Sequence, residues 1–350
     1  MNTNTDARKN QLTQWAQTQT HLQLDVESIH PASADASFRR YFRANTGQLE
    51  HPTIILMDAP PPQEDVRPFI DIAQRLLAAG VNVPKILAAD VERGFLALTD
   101  LGNATFLSVL NNDNCRPLYK SACDALVTFQ VSADTRGLPA YDKERLIAEM
   151  SLFPQWYAEK HMGCALTAEE NNDLKRIFEL LATQATAQPG VLVHRDYHSR
   201  NLMFVDAELA AQRGWPAGPG ILDFQDAVVG PATYDLVSLL RDAYVEWEKQ
   251  ETLDWAIRYW ELAKKAGVPV DADPSEFYRQ YEWMGLQRHL KVLGIFARLY
   301  HRDGKDGYLK DLPLVLAYTR NVAESFSVFK PLIRILDRLE KKEVKVGYTF

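Results

Sequence analysis

His194-Arg195-Asp196-Tyr197-His198-Ser199-Arg200-Asn201, followed 22 positions after Asn201 by Asp223 within Leu222-Asp223-Phe224-Gln225-Asp226, is the stretch on which the reading of this chain turns. An aspartate, an asparagine five positions on and a second aspartate beyond a hairpin form the set that metal-assisted phosphoryl transfer requires. Asp196 is the candidate catalytic group, because an ionised carboxylate only accepts hydrogen bonds and can take the proton of an attacking hydroxyl. Asn201 and Asp223 are the candidate Mg²⁺ ligands: both offer hard oxygens, and the neutral amide avoids setting two anions side by side. A rival reading places His194, Asp196 and His198 at alternate positions of a strand, ligating a transition metal with Asp223 as in a metallohydrolase.

His194-Arg195-Asp196 with Asn201, then Asp223-Phe224, resembles the catalytic and metal loops of the protein-kinase-like fold. Within that fold, the spacing of His194, Asp196, His198, Asn201 and Leu202, with Leu222-Asp223 and the later Gly230, Pro231, Tyr234, Asp235 and Leu236, is similar to the aminoglycoside phosphotransferase family. The resemblance runs from residue 37 to 291. Its segments 37–43, Met57-Asp58-Ala59-Pro60, 239–244 and 286–291 resemble the branch of the family whose members phosphorylate the anomeric hydroxyl of N-acetylated amino sugars during cell-wall recycling. The resemblance implies a cytoplasmic kinase that uses ATP and Mg²⁺ on a small-molecule amino sugar. Kinases of the same fold acting on aminoglycosides, choline or homoserine are the alternatives.

Two departures from the family pattern bear on the nucleotide. The loop Pro31-Ala32-Ser33-Ala34-Asp35-Ala36-Ser37 has no glycine, although backbone amides flanked by small side chains can still cradle phosphate. The third strand, Thr53-Ile54-Ile55-Leu56-Met57, lacks the lysine that the resemblance implies. Alternation along the second strand sets Arg39, Tyr41 and Arg43 on one face and Phe38, Arg40 and Phe42 on the other. Ser37, Arg39, Arg40 and Arg43 are therefore the candidate phosphate contacts, with the choice among the arginines open. The resemblance implies that the backbone at Leu98, Thr99 and Leu101, in a hinge, meets the adenine.

Outward from this centre the chain changes character. Short β-prone runs at 22–28, 38–44, 53–57 and 95–98 surround one helical stretch at 66–79, stopped by Gly80. Beyond the turn Asp100-Leu101-Gly102-Asn103, apolar residues recur at helical spacing over 118–132, 166–187, 236–248 and 253–266. Asp273-Pro274-Ser275-Glu276 reads as a capped helix start. Strands that cluster rather than alternate with helices predict an α+β fold. With the resemblance this becomes a bilobal protein-kinase-like fold: an N-terminal antiparallel sheet lobe over 1–98 that binds nucleotide, and a mainly helical C-terminal lobe over 99–350 that holds the catalytic and acceptor sites.

The acceptor side is drawn from His198, Arg241, Asp242, Arg288 and Lys291, although charged residues on helices ordinarily mark the wet face. Cations there would suit a substrate that bears a carboxylate. Asp235, near the start of a helix, reads as an N-terminal cap or a loop brace. The aromatic residues Trp247, Trp255, Tyr259 and Trp260 read as core rather than as sugar-stacking platforms. With 39 basic and 46 acidic residues the net charge is −7, which disfavours sequence-independent nucleic-acid binding. The greasiest segment, 286–299, carries Arg288, Lys291 and Arg298, so no membrane span is expected. No targeting segment is visible, and three cysteines without paired spacing predict reduced thiols.

Overall fold

The computed structural model describes residues 6–34 and 38–341, with the side chains of residues 33 and 34 left aside. The chain opens with α1 (Ala7–Thr18), capped by Asp6, whose side chain accepts from the Lys9 N–H at 3.0 Å. A meander follows: β1 (Leu24–Ala34), β2 (Arg40–Thr46), β3 (Thr53–Asp58), α2 (Arg67–Ala78), β4 (Ile86–Asp90) and β5 (Phe95–Thr99). The sheet is antiparallel in the order β1-β2-β3-β5-β4, with Tyr41 opposite Met57 and Arg43 opposite Ile55. One of its faces buries Phe42, Ala44, Ile54, Leu56, Phe95 and Ala97 against Leu12, Trp15 and Ala16 of α1. Helices α3 (Phe106–Val109) and α4 (Cys115–Ser132) come next.

Beyond α4 run α5 (Lys143–Met150), a π-helical segment (Phe153–His161), α6 (Ala168–Thr186) and β6 (Gly190–Val193). Helix α6 starts with a reciprocal capping box between Thr167 and Glu170. A two-stranded ribbon then pairs β7 (Leu202–Met203) with β8 (Gly220–Ile221) across α7 (Ala207–Gln212). Strand β9 (Val228–Pro231) returns antiparallel to β6, with Val193 opposite Val228. The remainder is helical: α8 (Thr233–Leu240), α9 (Lys249–Ala266), α10 (Pro274–Asp303), α11 (Leu312–Ser325) and α12 (Lys330–Leu339). Asp273 caps α10 as its sequence predicts, accepting from the Ser275 N–H at 2.8 Å. Gly294 is required within α10, because a Cβ there would lie 2.4 Å from the backbone carbon of Leu152.

The chain packs as two compact units, residues 1–134 with 200–227 and residues 135–199 with 228–350. The expected boundary at 98/99 falls inside the first unit, because Leu101 packs with Met203, Ala210 and Trp215 of the ribbon segment. The Ile221 N–H also donates to the Asn82 carbonyl at 2.8 Å.

The helix expected over 236–248 starts at Thr233 and stops at Leu240. Its stop has a local cause: Arg241 leaves helical geometry at φ −121° and ψ 51°, and the Asp242 carboxylate captures the Tyr244 N–H at 3.1 Å. Helix α1 and strand β4 escape the sequence pattern because few of their residues are buried. In β4, Ile86–Asp90 is everywhere half-buried or exposed.

Candidate active site

In the second unit, β6 delivers the segment 194–199, which is a loop and not a strand. The Asp235 carboxylate, on the first turn of α8, accepts from the backbone N–H groups of His194 at 2.6 Å and Arg195 at 2.9 Å. Burial pushes the Asp235 carboxyl up to about 7, although both amide bonds pull the other way. Arg195 sits at φ 80°, a left-handed conformation that a non-glycine residue adopts only when its surroundings hold it there. Asp235 holds its backbone, and Glu149 of α5 holds its guanidinium at 2.5 Å. Glu149 also lies 3.3 Å from the Lys291 ammonium and accepts from the Tyr141 hydroxyl.

These braces flank Asp196, a half-buried side chain. Burial alone would raise its carboxyl, but the charges of Lys291, His198, Arg288 and Arg195 outweigh that, leaving it below the ordinary carboxylate range. The His194 ring is buried and turned onto its own loop, with Nδ1 accepting from the Asp196 N–H at 3.2 Å. The premise of the metallohydrolase reading therefore fails. The segment does not alternate as a strand, and among the described residues no group of three or more His, Cys, Asp or Glu is placed to hold a metal ion.

On the acceptor side the structure separates the five expected residues. The Asp242 carboxylate is buried and accepts from the Ser199 N–H at 2.9 Å and from the Ser199 hydroxyl, so it braces the loop that carries Asp196. Arg241 is paired with Glu282 and lies 4.8 Å from the centre of the Tyr281 ring. Both are thus engaged by protein groups. His198 stacks edge-on against Tyr244 with ring centres 5.4 Å apart. Lys291 donates to the Tyr234 hydroxyl at 3.0 Å in addition to its pairing with Glu149. Arg288 is buried on α10 and its charge bears on Asp196.

Asn201 and Asp223 lie in the first unit. The Leu222 N–H donates to the Asn201 carbonyl at 2.9 Å, closing the ribbon so that the Asn201 amide lies 3.4 Å from the Asp223 carboxylate. Asp223 is at φ 63°, a second left-handed non-glycine residue. Beside it Phe224 packs on Phe69 of α2 with ring centres 4.7 Å apart. Asp223 also accepts from Gln225 at 2.9 Å and pairs with Arg39 at 3.4 Å, while Arg39 lies 3.9 Å from Glu64. An amide and a carboxylate on one short ribbon, the carboxylate 39 % exposed, make a donor set that suits a hard, hydrated cation.

The three arginines diverge. Arg40 pairs with the fully buried Asp58 at 2.6 Å and with Asp6. Asp58 also takes Arg8, which ties α1 to the sheet. Arg43 forms a fork on Asp100 at 2.6 and 2.9 Å. With the Gly102 N–H and Thr53, Arg43 holds Asp100 below the carboxylate range against the opposing effect of burial. Arg39 alone of the three reaches the Asp223 carboxylate.

The Thr99 N–H and hydroxyl are engaged with Lys85, and Leu98 is buried within β5. Leu101 is buried in the satellite core. Ser37 lies outside the described residues.

The sequence reading missed Glu149. It stands between Leu146 and Met150 on an otherwise buried face, which is the one local sign of it; its partners come from a distant loop and a distant helix.

An aspartate on the loop after β6, and an amide–carboxylate pair on the ribbon that follows it in sequence, are the residue types that phosphoryl-transfer enzymes use. The model of the phosphotransferase enzyme family matches residues 28–270, and the chain belongs to that family. It is 43% identical over 348 residues to an N-acetylmuramate/N-acetylglucosamine kinase of Neisseria meningitidis serogroup B, covering 98% of this chain and 99% of that protein. It is 49% identical over 289 residues to an N-acetylmuramate/N-acetylglucosamine kinase of Pseudomonas aeruginosa, covering 82% of this chain and 81% of that one. The GDP complex of aminoglycoside 2'-phosphotransferase-IIIa is similar in fold, with a TM-score of 0.60 at 16% identity over 90% of this chain and 99% of that one. The chain is a kinase that draws on a nucleotide. No helix among the described residues is long and apolar enough to cross a membrane.

Proposed function

We propose that the chain is a cytoplasmic, ATP- and Mg²⁺-dependent kinase that phosphorylates the anomeric hydroxyl of N-acetylmuramate and N-acetylglucosamine in peptidoglycan recycling. The observation that carries this is the likeness to kinases of that name over nearly the whole chain, 98% of it in the Neisseria relative. Residues 1–98 supply most of the nucleotide cradle, and 99–350 supply the acceptor site and the metal ligands.

Asn201 and Asp223 would hold Mg²⁺, which when bound neutralises phosphate charge. Turning the Asn201 amide about its terminal bond brings Oδ1, the ligand atom, beside the carboxylate. Arg39 supplies the cation missing from β3, and the backbone at Leu98, Thr99 and Leu101 meets the adenine. Asp196 orients the anomeric hydroxyl and accepts its proton. Its depressed carboxyl keeps it ionised, so it is ready as an acceptor throughout the neutral range.

The test is a phosphotransfer screen of ATP against amino sugars with ³¹P detection. A product phosphorylated at the anomeric position and dependent on added Mg²⁺ supports the reading. Phosphate on the six-hydroxyl, or on no amino sugar, overturns it.

A further inference from the structure

On helix α10, Arg288 lies three residues before Lys291 and is its neighbour on the helix surface. Lys291 fixes where that face points. Its ammonium reaches Tyr234 on α8 at 3.0 Å and Glu149 on α5 at 3.3 Å, beside the loop that carries Asp196. Arg288, three residues before Lys291, lies on the same side of α10, and its charge bears on both Asp196 and Asp235.

The two differ in what satisfies them. Lys291 is spoken for by Glu149, which also takes Arg195 at 2.5 Å. Arg288 is 4% exposed, its Nη1 has no hydrogen-bond partner, and no salt bridge engages it among the described residues. Buried donors and acceptors are ordinarily satisfied, and a guanidinium presents a planar fork of N–H donors that matches a carboxylate.

We propose that Arg288 reads a carboxylate substituent of the acceptor, while Asp196 takes the reacting hydroxyl of the same sugar. This rests on the function proposed above, in which one substrate, N-acetylmuramate, carries a lactyl carboxylate and the other, N-acetylglucosamine, does not. Arg288 therefore acts as the residue that sets preference between them, and Lys291, engaged by Glu149 and Tyr234, does not.

The experiment compares kcat/KM for the two sugars in the wild-type enzyme, in Arg288→Met and in Lys291→Met, with the methyl ester of N-acetylmuramate as a third acceptor. Loss of Arg288 also removes a charge near Asp196, but that effect is common to all acceptors and cancels in their ratio. In Arg288→Met the preference for N-acetylmuramate over N-acetylglucosamine is expected to fall about tenfold or more, the usual scale for one charged hydrogen bond. In Lys291→Met the ratio is expected to stay within about threefold of wild type, both sugars losing together.

With the wild-type enzyme the methyl ester should lose a similar factor relative to the free acid, a measurement that needs no variant to fold. Equal losses on both sugars in Arg288→Met, or an ester turned over as well as the acid, overturn the assignment while leaving the kinase reading intact. A wild-type enzyme that phosphorylates neither sugar overturns both.

Discussion

Replacing Glu149 by glutamine tests whether the loop before Asp196 is held by charge. The isostere keeps one oxygen for Arg195 but turns an NH₂ group toward Lys291, so two cations 2.5 and 3.3 Å from the former carboxylate face each other without an anion between them. The Glu149 side chain is only 13% exposed, so solvent screens little of this. Removing one partner of a buried ion pair costs about 3 kcal/mol or more. At roughly 2 °C per kcal/mol for a chain of this size, calorimetry should show Tm falling by about 6 °C.

The kinetic consequence is specific. Arg195 is held in a left-handed backbone conformation next to Asp196, and loosening its guanidinium should lower kcat about tenfold while the KM for nucleotide stays within about twofold. A pH signature accompanies it. Burial alone would raise the Glu149 carboxyl, but Lys291, Arg195 and Tyr141 hold it below its ordinary value. Its stabilising contribution is therefore complete above the unfolded carboxylate pKa near 4.3 and is lost as pH falls through the depressed folded value. The wild-type Tm should drop more steeply than that of Glu149→Gln across this acid range. A variant with wild-type Tm, kcat and acid slope would refute the brace.

Three further outcomes follow from the site. Asp196→Asn should fold normally and bind nucleotide, yet lose about 10²-fold or more in turnover, since it removes the proton acceptor; retention of more than about a tenth of wild-type kcat in steady-state assays would exclude that role. Asp223→Ala should abolish Mg²⁺-dependent nucleotide binding in calorimetric titration, because Asn201 brings no charge to hold the cation by itself; unchanged affinity would move the metal elsewhere. Arg39→Ala should raise the KM for ATP severalfold, whereas Arg40→Ala and Arg43→Ala should mainly lower Tm, because Asp58 and Asp100 would be left buried without those cations; a KM effect from Arg43 alone would reverse the assignment.

The fold was legible wherever a local rule governed the residues. The strand 53–57 extends by one residue in the structure, the 66–79 helix becomes Arg67–Ala78, and Asp273 caps α10 as its Asp-Pro-Ser-Glu start implies. What stayed hidden depends on partners distant in sequence. Nothing near Arg40 or Arg43 announces Asp58 or Asp100, so period-two alternation could put three arginines on two faces of β2 without ranking them. Arg241 and Asp242 form an adjacent basic and acidic pair in sequence and suggest a polar contact. In space they separate, Arg241 to Glu282 and Asp242 to Ser199, and each becomes a brace. Strand alternation likewise suggested a metal triad at 194–198, and it fails because the left-handed Arg195 turns that segment into a loop.

Two left-handed non-glycine residues are Arg195, next to Asp196, and Asp223, and each lies in a different compact unit. Such conformations persist only when neighbouring groups over-determine them. For Arg195 those groups are Asp235 on its N–H and Glu149 on its guanidinium; for Asp223 they are Gln225, Arg39 and the closed ribbon at Asn201. The two holds differ in kind. Arg195 is clamped by buried carboxylates that no substrate needs to displace. Asp223, with its side chain 39% exposed, is held by Arg39 and Gln225, groups that a nucleotide phosphate and a cation would compete for. On the function proposed above, the loop before Asp196 would be held by the protein alone, whereas Asp223 would exchange its partners when nucleotide binds. Substitutions around Arg195 should consequently appear in kcat, and substitutions around Asp223 in nucleotide affinity.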